Sequence, residues 1–398
     1  MDGARTRGHT AALEAIAAMI RAPAPPHAIL LAGPDGVGKT TLALDLAAGL
    51  LCVADPDRRP CRTCRACLMV EKGGHPDLHR LGPVGPGRQV VIGGPEAKFR
   101  GVRDLIVELA LMPIEGRARV AIVEGAERMN EDAQSALLKT LEEPAAGVVV
   151  ILCAAQESRL LPTVRSRCAR IRLGLVGSRD IEAIVADHDL ADPPLAARLG
   201  RLAAGRPGLA LAYARAPEAV LIRAELSRVL LDLTGAGAAA RLGAVRAAHA
   251  RAIALAKALA GSDQKKSGSR PTSARGAVKA LAELVTGDEP DDGDAEAEVS
   301  RAKGPVAADR RLGAEILLEL WTEVARDLVL AGAGGGASVR DPVLLEELTA
   351  TAAMVDPKDV GQFLDRAARG AELLGANVSP ELLLDSVALA WPHNRAAA

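Results

Sequence analysis

The sequence has few aromatic residues and no excess of either charge. Two Phe, two Trp and one Tyr are its aromatics, while hydrophobic residues make up 49% of the 398 positions. The cores must therefore be packed by Ala, Leu, Val and Ile, and a platform that stacks single-stranded bases is not expected. Lys and Arg total 49 against 50 Asp and Glu, so no global basic surface indicates nucleic-acid binding. Contact with DNA is expected to be local or shared with partners.

Long apolar runs are absent as well. No stretch of the sequence approaches the roughly 18 to 20 apolar residues that a membrane-spanning helix needs. The first residues lead into a short amphipathic stretch rather than a secretory signal. We therefore expect a cytoplasmic protein with no membrane contact. In that compartment the six cysteines are expected to be reduced or metal-bound rather than paired as disulfides.

The first part of the chain alternates between strand and helix patterns. Three short apolar runs bounded by turn residues suit buried parallel strands: 28–32, 119–123 and 148–152. Between the last two, Asn130 offers the N-cap of a helix that Pro144 ends. Strands separated by helical segments predict a parallel, doubly wound α/β sheet, here a P-loop domain over residues 1–173.

The rest of the chain has helical spacing. It is predicted to form a small helical domain at 174–224 and a larger all-helical domain at 225–398. Within the second domain, residues 261–310 are rich in polar and charged side chains. Such a composition cannot bury enough apolar surface to order a core. We expect this segment to be a disordered insertion in a surface loop, and the sequence assigns it no role.

A complete phosphate-binding motif follows the first apolar run. Residues 33–40 read Gly-Pro-Asp-Gly-Val-Gly-Lys-Thr. The glycines let backbone amides curl around phosphates, Lys39 reaches the outer phosphates, and Thr40 can ligate Mg²⁺. The helix that follows points its positive end at the same anion. A strand before the motif and a helix after it favour bound ATP or ADP with Mg²⁺ over a glycine-rich turn without a ligand.

Four of the six cysteines lie close together after that helix. Their spacing is C-x8-C-x2-C-x2-C, and they are Cys52, Cys61, Cys64 and Cys67. Four thiolates can hold one zinc ion in a closed tetrahedral site that leaves no position for a catalytic water. We therefore expect a structural Zn²⁺ module at about 52–78, and an iron–sulfur cluster is the alternative. His75 is a spare ligand candidate, although Gly-Gly-His-Pro at 73–76 favours a turn.

The run 119–123 ends where a P-loop protein places its magnesium-supporting acid, and Glu124 takes that position. The next residue, where a water-activating glutamate is expected, is Gly125, which cannot orient a nucleophilic water. Glu127 is interpreted as a solvated acid at a helix start rather than as a substitute base. The residues predicted to bind the nucleotide and its metal are Gly33, Gly36, Gly38, Lys39, Thr40, Thr41 and Glu124.

Together these motifs resemble the bacterial clamp-loader branch of the AAA+ ATPases. Over about residues 8–215, the matching features are the P-loop, the cysteines after its helix, Leu-Leu-Lys-Thr-Leu-Glu-Glu-Pro at 137–144 and Ser-Arg-Cys at 166–168. The resemblance implies an AAA+ domain, a helical lid and a helical collar that joins five subunits in a ring. It also implies that Arg167 is an arginine finger, which stabilises charge on ATP bound by a neighbouring motor subunit. Such a residue can be worth about 10³-fold or more in related systems.

That branch contains a motor of the tau/gamma kind, which hydrolyses ATP, and a stator that does little hydrolysis. Three departures favour the stator: Gly125 in place of the catalytic glutamate, Ala154-Ala155 in place of threonines that sense the γ-phosphate, and Gly208 where the motor's lid supplies a sensor arginine. Arg206 is an offset candidate for that arginine.

The stator interpretation implies partners rather than an independent activity. Motor and delta subunits would complete a hetero-pentameric ring, and the sliding clamp and primed DNA would be met through the assembled complex. Two alternatives stay open at this point. One is an autonomous ATPase, either a motor subunit or another AAA+ machine, with a base at or near Glu127. The other is a zinc-stabilised adaptor with a vestigial P-loop.

Overall fold

A computed structural model describes residues 3–84, 89–95, 97–115, 117–264, 307–375 and 378–394. Within these ranges, none of the helices has the length and apolar character needed to cross a membrane.

Five parallel strands form one sheet, which confirms the predicted α/β class. They are β1 (Ala28–Ala32), β2 (Leu78–Leu81), β3 (Arg119–Glu124), β4 (Val148–Ala154) and β5 (Ala169–Arg172). Their order across the sheet is β2-β3-β4-β1-β5. The three apolar runs predict the three central strands, because these strands are covered on both faces and are apolar almost throughout. The edge strands β2 and β5 carry exposed polar residues, so they lack that signal.

Helices cover both faces of the sheet. They are α1 (Thr10–Arg21), α2 (Lys39–Leu51), α3 (Arg65–Glu71), α4 (Val102–Leu109), α5 (Glu131–Glu142) and α6 (Pro162–Arg165). One apolar core joins α1 and α2 to alternate strand residues such as Ile29 and Ile151. The other core joins α4 and α5 to the strand residues that face the opposite side of the sheet, such as Leu30 and Val150. Asn130 caps α5 as predicted, since its side chain accepts from the Ala133 N–H at 3.0 Å.

The rest of the described chain is helical. Its helices are α7 (Ser178–Asp187), α8 (Pro193–Leu202), α9 (Pro207–Arg215), α10 (Pro217–Asp232), α11 (Ala238–Gln264), α12 (Ala307–Gly332), α13 (Leu345–Met354), α14 (Pro357–Gly375) and α15 (Pro380–Leu389). One continuous apolar core runs through them from Val176 to Trp391. Helix α10 crosses the boundary predicted between 224 and 225.

The predicted disordered insertion at 261–310 begins and ends in helices. Helix α11 continues to Gln264 and α12 starts at Ala307. The alanine-rich spacing of α11 therefore extends beyond the predicted start of the insertion. Residues 265–306, which carry the rest of that prediction, lie outside the described residues.

Candidate nucleotide site, metal site and arginine finger

The phosphate-binding loop joins β1 to α2, as the sequence predicts. Gly36 and Gly38 adopt φ of 78° and 106°, which only glycine adopts without strain. The space around Gly38 is open, since a Cβ there would meet no atom within 4 Å. The Lys39 ammonium group donates to the carbonyl oxygens of Gly33 at 2.7 Å and Pro34 at 2.8 Å. A bound phosphate would compete for these N–H donors.

The two residues predicted to support Mg²⁺ lie together, beside an arginine that the sequence did not indicate. The Thr40 hydroxyl is 3.5 Å from one carboxylate oxygen of Glu124. The other oxygen of Glu124 accepts from Nε of Arg80 at 3.0 Å and from its Nη2 at 2.6 Å. Arg80 belongs to the edge strand β2, where no motif directed attention to it.

Gly125, at the predicted position of a water-activating base, has a left-handed backbone and little room for a side chain. Gly125 has φ of 60°, and a Cβ on it would lie 3.0 Å from Cγ of Pro83. Glu127 was predicted to be solvated, and this prediction is wrong, because the residue is only 9% exposed. Its carboxylate accepts from the Ala155 N–H at 3.1 Å. The short turn at Ala126–Arg128 directs Glu127 inward, so it fixes the end of β4.

Helix α9, in the predicted lid, contacts the phosphate loop at the predicted sensor position. The Gly208 N–H donates to the Gly36 carbonyl at 2.8 Å, and a Cβ on Gly208 would lie 3.1 Å from that oxygen. A side chain at 208 would therefore crowd the phosphate loop at Gly36. The Arg206 side chain pairs with Glu319 and, at 3.4 Å, with Glu323. The offset candidate is thus engaged with α12.

The four clustered cysteines are brought together in space. Their sulfur atoms all lie within 4.8 Å of one another, and that of Cys52 is 3.6 Å from Cys61 and 3.9 Å from Cys64. A tetrahedral zinc site with Zn–S bonds of about 2.3 Å places its sulfurs about 3.8 Å apart. The donor set and its spacing therefore fit one metal ion. All six cysteines are free of disulfides, as predicted.

The sulfurs differ in their surroundings. Hydrogen bonds from Thr63 lower the pKa of the Cys61 thiol to about 6. Burial raises the pKa of Cys52 and of Cys67, so a metal ion would have to displace protons from these two thiols. His75 lies outside the cysteine cluster. It is buried in the predicted turn, where its Nδ1 accepts from the Asp77 N–H at 3.1 Å.

Asp45 is a buried acid that no motif in the sequence indicates. It lies in α2, is 1% exposed, and accepts from the backbone N–H and the hydroxyl of Thr6 at 2.9 Å and 2.7 Å. It also forms an ion pair with Arg62, which lies between two of the clustered cysteines. Asp45 therefore ties the N-terminal segment and the cysteine module to the P-loop helix. Its place three residues after Leu42, on the apolar face of α2, is a signal that could have found it.

Arg167 lies between α6 and β5 with its side chain 34% exposed. It forms an ion pair with Glu142 and donates to the Thr163 carbonyl at 2.9 Å. Glu142 belongs to the Leu-Glu-Glu-Pro motif, so the two motifs that carried the family resemblance meet at this point. A guanidinium has five N–H donors, so several remain available to a ligand from outside.

The family described as "DNA polymerase III, delta subunit" matches residues 8–176. The delta-prime subunit of DNA polymerase III from Pseudomonas aeruginosa is 40% identical over 152 residues, which are 38% of this chain and 44% of that protein. The tau subunit from Salmonella typhimurium is 32% identical over 177 residues, which are 44% of this chain and 26% of that protein.

A gamma-subunit-related protein from Thermotoga maritima aligns in structure over 95% of this chain and 97% of its own, with a TM-score of 0.38 and 16% identity. The chain spans less than half the length of the delta-prime relatives that it matches. The region matched by the family contains the phosphate loop, the cysteine cluster and Arg167. The chain is thus similar over residues 8–176 to the family described as "DNA polymerase III, delta subunit", and over stretches of 142 to 173 residues to bacterial delta-prime subunits.

Proposed function

We propose that this protein is the delta-prime subunit of the DNA polymerase III clamp loader. It would act as a stator that completes the ATP site of a neighbouring motor subunit. The observation that carries the proposal is the contrast between two places in the chain. The protein's own site has Gly125 at the position of the base, while a partly exposed arginine, Arg167, is held at the edge of the domain.

The surroundings of the phosphate loop support little hydrolysis by the chain alone. Glu127, the nearest candidate base, is buried against the end of β4. Ala154 and Ala155 offer no side-chain donor to a γ-phosphate, and Gly208 offers no sensor arginine. Without a group to orient water or to stabilise developing charge, P-loop chemistry is slow even with nucleotide bound.

Arg167 would serve as the arginine finger in trans. Glu142 contacts Nη2 of the guanidinium, and the Thr163 carbonyl accepts from Nη1. This leaves other donors for the phosphate oxygens of a neighbour's ATP, and a planar fork matches their geometry. Its role would be electrostatic stabilisation of the transferring phosphoryl group.

The partners follow from this role. The motor (tau/gamma) and delta subunits would form a hetero-pentameric ring with this chain in the cytoplasm, and the ring would load the sliding clamp onto primed DNA. Residues 1–173 would supply the AAA+ domain, 174–224 the lid and 225–398 the collar. Helix contacts in the collar would join the five subunits.

Two cofactors belong to the proposal. Cys52, Cys61, Cys64 and Cys67 would hold a structural Zn²⁺, because four sulfurs leave no open position for catalysis. The phosphate loop would bind ATP or ADP through the backbone amides at 33–38 and through Lys39.

A single-turnover experiment tests the finger. The complex is assembled with motor and delta subunits, and ATP hydrolysis is followed after mixing with clamp and primed DNA. With Arg167→Ala, the site next to this chain should slow by about 10³-fold, so one fraction of the bound ATP moves from the fast phase to a slow one. Arg167→Lys should behave similarly, because a lysine cannot reproduce the fork.

The matched control is Arg170→Ala, which removes an exposed arginine three residues away. This variant should keep the fast phase in full. If Arg167→Ala also keeps it in full, with the complex intact by mass, the finger assignment is wrong.

The complete P-loop favours a second candidate, a motor-type ATPase. The purified chain separates the two functions. The stator should hydrolyse ATP no faster than background, whereas turnover that disappears in Lys39→Ala would support the motor and contradict the stator.

A further inference from the structure

The acid that would support a metal at the phosphate loop is already bound by an arginine of the same chain. One carboxylate oxygen of Glu124 accepts two N–H donors from Arg80, at 3.0 Å and 2.6 Å. The Thr40 hydroxyl is 3.5 Å from the other oxygen. The hydroxyl that would ligate Mg²⁺, the acid that would support it and a guanidinium therefore converge on one place.

This arrangement does not fit a magnesium ion. Mg²⁺ demands octahedral oxygen coordination and keeps several of its waters. These waters must donate hydrogen bonds to the protein's acid. In this chain both hydrogen bonds of the guanidinium go to one oxygen of Glu124, which leaves only the oxygen facing Thr40 to accept from such a water. The guanidinium also carries a positive charge next to the place where a dication would sit, and like charges at this distance repel.

The position of Arg80 is fixed by its backbone. Strand β2 pairs with β3 in a register that places Arg80 beside Ile122, two residues before Glu124. The Arg80 carbonyl accepts from Nη1 of Arg100 at 2.7 Å, and Arg100 is itself held by Glu108 at 2.9 Å. The side chain is 42% exposed, so its remaining donors are open to a ligand.

We propose that Arg80 takes the place of Mg²⁺, so that this phosphate loop binds ADP or ATP without a metal ion. Arg80 and Lys39 supply the positive charge, and a guanidinium is well suited to phosphate oxygens. The inference rests on the proposed binding of nucleotide at the loop. It does not depend on the action of Arg167 on a neighbour, so the two can fail separately.

Nucleotide affinity measured with and without metal tests the inference. The full-length protein is titrated with a fluorescent ADP analogue in EDTA and in Mg²⁺. Wild type should bind with dissociation constants that agree within about threefold in the two solutions, a difference of less than about 0.7 kcal/mol. Arg80→Met keeps the apolar stem but frees Glu124. This variant should bind at least about tenfold more tightly in Mg²⁺ than in EDTA.

Mn²⁺ provides a second readout that is independent of nucleotide fluorescence. The electron paramagnetic resonance signal of Mn²⁺ with excess ADP should change when Arg80→Met is added, and should stay that of Mn²⁺ and ADP alone when wild type is added. The matched control is Arg228→Met, which removes an Arg–Glu pair of similar exposure (45% and 41%) far along the chain. It should behave as wild type does.

Several results would overturn the inference. Tenfold tighter binding by wild type in Mg²⁺ would show that the metal still enters despite Arg80. Absence of nucleotide binding in both solutions, or metal-independent binding by Arg80→Met, would contradict it as well. None of these results would bear on the single-turnover test of Arg167.

Discussion

Gly125 adopts φ of 60°, a conformation that costs a residue with a β-carbon about 1–2 kcal/mol. A Cβ at this position would also lie 3.0 Å from Cγ of Pro83, in the segment that follows β2. The backbone at residue 125 therefore suits glycine and disfavours a residue with a β-carbon. A motor's glutamate could not be placed here without moving that segment.

We predict that Gly125→Glu does not restore hydrolysis. The purified variant should show background ATP turnover and a free energy of unfolding lower by about 1–2 kcal/mol or more, measured by denaturant titration. Gly235→Glu is the control, because a Cβ at Gly235 meets no atom within 4 Å and its stability should change little. Robust turnover by Gly125→Glu would mean that one substitution separates this chain from a motor.

The sequence predicts functional residues that lie within one short motif. It does not predict residues that come together only when distant segments pack in the fold. The phosphate loop and the four cysteines are each contained in a short segment, so spacing alone reveals their chemistry. Arg80 reaches Glu124 across 44 positions, and only the pairing of β2 with β3 brings the two together. The burial of Glu127 depends on the turn before α5, which no periodicity encodes.

At the scale of elements, the cysteine module is built on the ends of two helices. Cys52 follows the last residue of α2, and Cys64 is the N-cap of α3, where its sulfur accepts from the Cys67 N–H at 3.5 Å. A metal ion bound by both would fix the angle between these helices. Asp45 adds a second link through Arg62.

We predict that Cys64→Ser loses the metal while α3 keeps its cap, because serine is a favourable N-cap residue. Wild type should contain about one equivalent of zinc by elemental analysis, and the variant should contain little. The variant's thermal midpoint should also fall, since metal binding contributes to folding. Cys168→Ser is the control, because this cysteine lies outside the cluster. A Cys64→Ser protein that retains a full equivalent would contradict the four-sulfur site.

At the scale of the whole molecule, the start of α9 joins three regions. Gly208 contacts the phosphate loop through Gly36, while Arg206 pairs with Glu319 and Glu323 of α12. Glu323 is also paired with Arg223 of α10 at 2.8 Å. The phosphate loop is therefore linked through the start of α9 to α10 and α12.

Asp327 lies near this junction, and its contribution to the free energy of unfolding depends on pH. It is 7% exposed and accepts from the Arg340 N–H at 3.1 Å, and burial raises its pKa from 3.8 to about 6. The folded protein thus holds the proton more tightly than the unfolded chain does. The protonated carboxyl stabilises the fold fully below pH 3.8, and this contribution is lost as the pH rises through about 6.

We predict that Asp327→Asn stabilises the protein at pH 7.5 and flattens the dependence of its stability on pH between about 4 and 6. An asparagine can still accept from the Arg340 N–H but carries no charge to desolvate, and the gain is at most about 3 kcal/mol. Thermal midpoints at several pH values measure both effects.

Asp341→Asn is the contrasting control, because Asp341 is equally buried but accepts from Arg198 at 3.0 Å and 2.9 Å. That change should destabilise the fold, since it leaves a partly buried guanidinium without its carboxylate. If Asp327→Asn destabilises the protein at pH 7.5 as Asp341→Asn does, the carboxylate of Asp327 is held by charge at the junction, and its burial is not a net cost.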